Sequence, residues 1–168
     1  MGYGYDVFPL SQVLHWSQVR THLEEIDTVF PTNVVKGRYP TFSEILTVAN
    51  SISGYIVRGN SDIQDWQISI YEDKPPEEEF FTGRSVILEV WSYGRNITED
   101  FGFWVYRGDE EAIVLVISQL ARICGPFFVE DELGESCIVV FADTAPDTKW
   151  TILDWAEEED DEAEEDST

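Results

Sequence analysis

The sequence predicts an α+β fold in which a mainly antiparallel sheet packs against one buried helix at residues 109–124. Two observations lead to this prediction. The helix interior, from Ala112 to Ile117, carries no charge, and a helix that is apolar around most of its circumference is a buried one. Segments that alternate between apolar and polar residues follow one another along the chain, as the strands of an antiparallel sheet do.

The buried helix has sequence signals at both ends. Asp109, Glu110 and Glu111 open it, where carboxylates interact favourably with the positive end of the helix dipole. Gly125 and Pro126 end it, as these residue types commonly do just beyond a helix. We expect this helix to be scaffold, with no residue that takes part in chemistry.

The N-terminal part of the chain contains a predicted strand and further helices. Apolar and polar residues alternate from Tyr3 to Val7, which predicts a short strand at the edge of a sheet. Between residues 10 and 26 the apolar residues recur at helical spacing, which predicts one helix or, if Ser17 caps a second segment, two short ones. Thr41 and Glu44 have the spacing of a capping box, which predicts the start of another helix.

The remaining strands are predicted from alternation and from the turn residues between them. They span residues 55–58, 65–71, 85–93 and 101–107 before the buried helix, and residues 126–129 and 136–141 after it. Residues 150–155 form one last strand or turn. We therefore expect a single α+β domain at 1–155 and a disordered acidic tail at 156–168, which lacks the large apolar residues of a core.

The chain is strongly acidic, with 34 acidic and 10 basic residues and a net charge of −24. Nine carboxylates lie in residues 157–166, and removing them from −24 leaves −15 for the rest of the chain. A body this acidic repels nucleic-acid phosphates and attracts basic proteins, whose association it accelerates. The sequence therefore predicts a basic protein partner and no direct binding of nucleic acid.

The compartment is predicted from what the sequence lacks. Cys124 and Cys137 are too few for a disulfide scaffold and are expected to be buried thiols in a reducing cytosol, with a bridge between them as the alternative. The N-terminal residues lack the features of a signal peptide. No uncharged apolar stretch approaches the roughly 20 residues of a membrane span. The predicted localisation is cytoplasmic, without membrane contact.

Alternate residues of a strand point to opposite faces of the sheet. One face is apolar, as at Val86 and Leu88 or at Phe103 and Val105, and is expected to lie under the buried helix. The other carries tyrosine and tryptophan, which are enriched at binding hot spots. The candidate partner-binding residues are Trp91, Tyr93, Trp104, Tyr106 and Tyr71, with Glu89 and the loop residues Glu77, Glu78 and Glu79 as a charged rim. In the alternative interpretation, the N-terminal helices cover this face and its aromatic residues belong to the core.

No catalytic residue, metal site or cofactor is predicted. His15 and His22 are seven residues apart but lack the partner residues of a metal-binding motif. Glu130 to Glu132 lie in a predicted hairpin turn, where a solvated turn is the simpler interpretation than a calcium site. The motifs of serine hydrolases and of nucleotide-binding loops are absent from the sequence.

The sequence thus favours a small, acidic, cytosolic regulatory protein that binds a protein partner and is not an enzyme. A bacterial immunity-type inhibitor of a cationic toxin is one concrete form. A first alternative is a nucleic-acid mimic that inhibits a DNA-binding protein, which requires ordered rows of carboxylates on the folded body. A second is a small carboxylate- or metal-dependent enzyme, which requires a pocket where carboxylates converge with His15 or His22.

Overall fold

The structure is a computed structural model that describes residues 4–28, 36–52, 55–60, 65–72, 85–91 and 103–153. Within these ranges the chain forms eight strands and four helices. In chain order the elements are β1 (Tyr5–Pro9), α1 (Leu10–Val13), α2 (Ser17–Glu25), α3 (Phe42–Ser51), β2 (Tyr55–Asn60), β3 (Asp65–Glu72), β4 (Ser85–Trp91), β5 (Phe103–Gly108), α4 (Glu110–Cys124), β6 (Phe127–Asp131), β7 (Ser136–Val140) and β8 (Thr151–Ile152).

All eight strands belong to one sheet with the order β2-β3-β4-β5-β1-β6-β7-β8. Every pair of neighbouring strands in it is antiparallel. The predicted α+β class with a mainly antiparallel sheet is therefore confirmed. The predicted edge position of the N-terminal strand is wrong: β1 lies in the middle of the sheet, between β5 and β6. It joins a four-stranded meander to the C-terminal strands.

The predicted buried helix is α4, and its caps are those that the sequence indicated. The Asp109 carboxylate accepts a hydrogen bond from the backbone N–H of Ala112 at 3.1 Å. At the other end, Gly125 has a φ of 89° and donates its N–H to the carbonyl of Ala121 at 3.0 Å. Glycine adopts this positive φ without the steric cost that a Cβ would impose.

Helices α3 and α4 cover one side of the sheet, which we call the front face. The main apolar cluster lies here and joins both helices to strands β1 and β3 to β7. Phe103 and Val105 of β5 are buried in this cluster, as are Val86 and Leu88 of β4, which agrees with the alternation in the sequence. Thr41 caps α3 with the predicted capping box, since its hydroxyl and the Glu44 carboxylate each accept a backbone N–H of the other residue.

The opposite side, the reverse face, is covered by α1 and α2 only at one end. These helices form a second apolar cluster with Phe128, Cys137, Val139 and Leu153. The region from 10 to 26 is thus two helices, and the second begins at Ser17, with Trp16 as its N-cap residue. Trp104 and Tyr106 on β5 belong to neither apolar cluster. The N-terminal helices therefore cover the β6 to β8 end of the face rather than the aromatic residues of β5.

Cys124 and Cys137 are both buried and both are free thiols, so the alternative of a bridge between them is not realised. Burial raises the pKa of the Cys137 thiol to about 12, with further contributions from Glu130, Glu25 and Asp131. The predicted acidic tail at 156–168 lies outside the described residues, and the boundary of the domain at 155 stays a prediction.

Candidate functional site

A row of directly opposed residues crosses the sheet at Trp104. On β5, Trp104 lies opposite Asp6 of β1 on one side and opposite Glu89 of β4 on the other. Asp6 lies in turn opposite Glu130 of β6. Because neighbouring strands are about 4.8 Å apart, this acidic–aromatic row, Glu89–Trp104–Asp6–Glu130, spans roughly 14 Å across four strands. Glu89 belongs to the row by its backbone register.

The ring of Trp104 packs against the backbone of Gly4. A Cβ atom at position 4 would lie 2.9 Å from Cε3 of the indole and 3.1 Å from Oε2 of Glu132. Real Cβ atoms do not come this close to a ring, so Gly4 permits the close approach. The backbone N–H of Glu132 donates to the carbonyl of Gly4 at 2.9 Å, which holds the β6–β7 turn beside the indole. Glycine at position 4 thus places Trp104 next to a carboxylate.

Tyr106 extends the aromatic surface toward solvent. Its side chain is 39% exposed, and its ring meets that of Trp104 edge to face, with 5.7 Å between the centroids. The guanidinium carbon of Arg107 lies 5.6 Å from the Tyr106 ring centroid, which is within the range of a cation–π contact. This surface thus already holds one guanidinium against an aromatic ring.

Asp6 and Glu130 are the two members of the row whose carboxylates are described, and the pKa of each is raised. Burial raises the pKa of Asp6, and the nearby Glu132 raises it further. Burial also raises the pKa of Glu130, with smaller contributions from Asp6 and Asp131, while the hydrogen bond from Gln18 at 3.5 Å opposes them. None of the carboxylates of Asp6, Glu130 and Glu132 forms an ion pair with another described residue. We call the side chains of Asp6, Trp104, Tyr106, Glu130 and Glu132 the acidic–aromatic patch.

The structure brings two of the predicted binding residues into contact. Trp104 and Tyr106 lie in contact on the reverse face, and Trp104 is half-buried. Trp91 and Tyr71 are placed by strand register alone, opposite Asp65 and Ser85 respectively. Tyr93 and the loop residues Glu77, Glu78 and Glu79 lie outside the described residues, so their part in a site stays a prediction.

The sequence did not predict four of the residues that form this site. They are the patch members Asp6, Glu130 and Glu132, and Gly4, which packs against the indole. Asp6 was recognisable as the polar position in an alternating strand. Its neighbours Trp104 and Glu130 are about a hundred residues away along the chain, and no local pattern reports that β1 inserts between β5 and β6. The acidic residues of the site could therefore be identified only once the order of the strands in the sheet was known.

Two surface depressions lie away from the patch. One, of about 490 Å³, is lined by residues of the α2 end, β7 and the loop at 143–148. The other, of about 470 Å³, is lined among others by Glu110, Glu111 and Asp147. Neither depression includes His15 or His22 in its lining, so neither has the arrangement that the enzyme alternative requires.

No protein-family model, no curated protein and no solved structure matches this chain. Across the described ranges, no helix combines the length and the apolar character needed to cross a membrane. In the same part of the chain, no group of three or more His, Cys, Asp or Glu side chains is arranged to hold a metal ion. The acidic–aromatic patch is thus the candidate site that joins predicted residues to a distinctive geometry.

Proposed function

We propose that this protein is a cytosolic regulator that binds a basic protein through the acidic–aromatic patch. The observation that carries the proposal is the direct opposition of Asp6 and Glu130 beside the half-buried Trp104. Like charges directly opposite one another destabilise a sheet. A cationic group of a partner that bound between them would relieve this repulsion.

The composition of the patch supports a protein partner. Tyrosine and tryptophan supply large rigid contact areas with a polar tip, and they dominate the energetics of many interfaces. Trp104 and Tyr106 are in contact with each other, and the indole of Trp104 lies close to the carboxylate of Glu132. The net charge of −24 would steer a cationic protein toward the molecule and raise the rate of association.

An immunity-type inhibitor of a cationic toxin is the specific form that we favour. The patch would anchor the partner, and the negative field would speed its capture before it does harm. The nucleic-acid mimic has weaker support, because the register places an indole, Trp104, and not a carboxylate, directly opposite Asp6 on β5. A mimic would also be displaced from its partner by double-stranded DNA, which separates the two forms experimentally.

The test is affinity capture from the cytosol of the source cell with three forms of the full-length protein. The first is the unaltered chain, and the second carries Asp6→Asn and Glu130→Gln. The third carries Asp143→Asn and Glu24→Gln, two exposed positions outside the patch, and has the same net charge as the second.

We expect the unaltered chain and the Asp143/Glu24 control to retain the same basic protein at low salt. About 0.5 M salt should release it, because screening weakens contacts between exposed charges. The Asp6/Glu130 variant should lose it. Equal retention by the two double variants would contradict the proposal, and so would a retained protein that is not basic.

A further inference from the structure

The partner group that binds at the patch can be specified more closely. We infer that it is the guanidinium of an arginine side chain, bound beside the Trp104 ring and among the carboxylates of Asp6, Glu130 and Glu132. This inference rests on the proposed function and names the group that the patch selects. The inference is that the patch prefers arginine to lysine, although both side chains carry one positive charge.

The first argument is the closeness of an acidic oxygen to the indole. Oε2 of Glu132 and Cε3 of Trp104 lie 3.1 and 2.9 Å from one point above Gly4, so they are within about 6 Å of each other. A guanidinium is planar, and it donates hydrogen bonds in its plane while its face stacks on an aromatic ring. It can therefore satisfy the carboxylate and the ring together, whereas a compact ammonium offers no face to stack.

The second argument is desolvation. Burial raises the pKa of both Asp6 and Glu130, so a cation that pairs with them must give up part of its water. A guanidinium is more weakly hydrated than an ammonium, so this loss of water costs it less. Partly buried carboxylates therefore favour arginine over lysine.

The third argument is a precedent within the molecule. Arg107 holds its guanidinium carbon 5.6 Å from the centroid of Tyr106, and the Tyr106 ring contacts that of Trp104. The aromatic part of the patch thus already accepts a guanidinium. No described residue forms an ion pair with Asp6, Glu130 or Glu132, so these carboxylates can accept a cation from a partner.

The inference is tested on the full-length protein with two peptide probes of equal charge, hexa-arginine and hexa-lysine. Affinities are measured by calorimetry at low salt. The indole N–H signal of Trp104, assigned with Trp104→Phe, is followed by NMR spectroscopy. We expect hexa-arginine to bind about three- to tenfold more tightly, as one added cation–π contact implies, and to shift the Trp104 signal more than hexa-lysine does.

The variants separate the ring from the charge. Trp104→Leu should lower the affinity for hexa-arginine to about that for hexa-lysine, whereas Trp104→Phe, which keeps a ring, should retain part of the preference for arginine. Asp6→Asn with Glu130→Gln should weaken both peptides. Since the preference is measured first on the unaltered protein, the test holds even if Trp104→Leu does not fold.

The outcomes that overturn the inference differ from those that overturn the proposed function. Equal affinities of the two peptides for the unaltered protein, both weakened by Asp6→Asn with Glu130→Gln, would overturn the choice of arginine and leave the binding function intact. Affinities that the Asp6/Glu130 variant does not change would place the binding elsewhere on the acidic chain, and the proposed function would then fail as well.

Discussion

Asp6 on β1 and Glu130 on β6 lie directly opposite one another in an antiparallel ladder, and burial raises the pKa of both carboxyl groups. A pair of like charges in this position costs a sheet up to about 1 kcal/mol. Neither carboxylate is relieved by an ion pair with another described residue. The two residues thus oppose folding stability at the place where a cationic partner would bind.

The first prediction separates stability from binding at this pair. Asp6→Asn should raise the free energy of unfolding by about 0.5 kcal/mol near neutral pH, because it removes the repulsion between opposed carboxylates. The raised pKa means that the folded state holds a proton on Asp6 more tightly than the unfolded state. The ionised carboxylate therefore destabilises the fold above that pKa, and the gain from Asn should shrink as the pH falls through it.

Urea denaturation of both forms at several pH values measures this difference. Asp143→Asn, at an exposed position, is the control for the loss of one negative charge from the whole chain. The same Asp6 variant should bind the partner less tightly. A lower stability of Asp6→Asn near neutral pH would mean that this carboxylate stabilises the fold, and the physical basis of the proposed site would be lost.

The sequence predicted the parts of the fold whose signals are local. The caps and the apolar interior of α4 can be recognised within the helix sequence and its flanking residues. The alternation that places Phe103 and Val105 on the front face can likewise be recognised within β5 alone. Trp104 and Tyr106 were accessible to the same reasoning, since alternation alone assigns them to the other side. Periodicity within one element was enough for each of these predictions.

The acidic half of the patch depended on pairings between distant segments. β1 inserts between β5 and β6, so that Asp6 meets both Trp104 and Glu130. Nothing within β1 specifies either neighbour, because any central strand with alternating residues would show the same pattern. Helices α1 and α2 cover the end of the reverse face that β6 to β8 form. The order of the strands decides which end this is, and the periodicity of a single element cannot predict it.

The second prediction concerns His22, whose Nδ1 lies 2.8 Å from Oγ1 of Thr151. The side chain is fully buried, and its Nε2 has no hydrogen-bond partner among the described residues. Burial lowers its pKa from 6.5 to about 4, against a smaller opposite effect of Glu25. Because the folded pKa lies below the unfolded value, the neutral ring is compatible with the fold above about pH 6.5, and stability is lost as the pH falls from there toward 4.

Replacement of His22 by Gln should remove this component of the pH dependence. Uptake of one extra proton on unfolding corresponds to a slope of at most about 1.4 kcal/mol per pH unit within the window. The unaltered protein should show this added slope in denaturation experiments, relative to His22→Gln. His15→Gln, at an exposed position, is the control. Parallel curves for His22→Gln and the unaltered protein would contradict the prediction.

The third prediction concerns the N-cap of α4. Asp109→Ala should lower the free energy of unfolding by about 1 kcal/mol, because the Ala112 N–H loses its acceptor at the start of the central helix. Asp109→Ser keeps a hydrogen-bond acceptor in the same place, so it should lower the free energy of unfolding by only a few tenths of that amount. Urea denaturation compares the two variants. Equal losses would show that the charge of Asp109, and not its hydrogen bond, stabilises the helix end.

The last prediction concerns Gly4, which permits the position of Trp104. Gly4→Ala places a Cβ within 2.9 Å of the indole ring, so the ring must move away from Glu132. We expect a changed NMR signal of the Trp104 indole N–H and weaker binding of the partner. Gly134→Ala is the matched control, because Gly134 has a φ of +69° and no described residue has an atom within 4 Å of the added Cβ.

The Gly134 variant should lose about 1 kcal/mol of stability through backbone strain while leaving the Trp104 signal and the binding unchanged. The two glycine variants thus separate a loss of stability from a loss of the patch. If Gly4→Ala bound the partner as tightly as the unaltered protein while its Trp104 signal had moved, the position of the indole beside Glu132 would not matter for recognition. The patch would then act through its carboxylates alone.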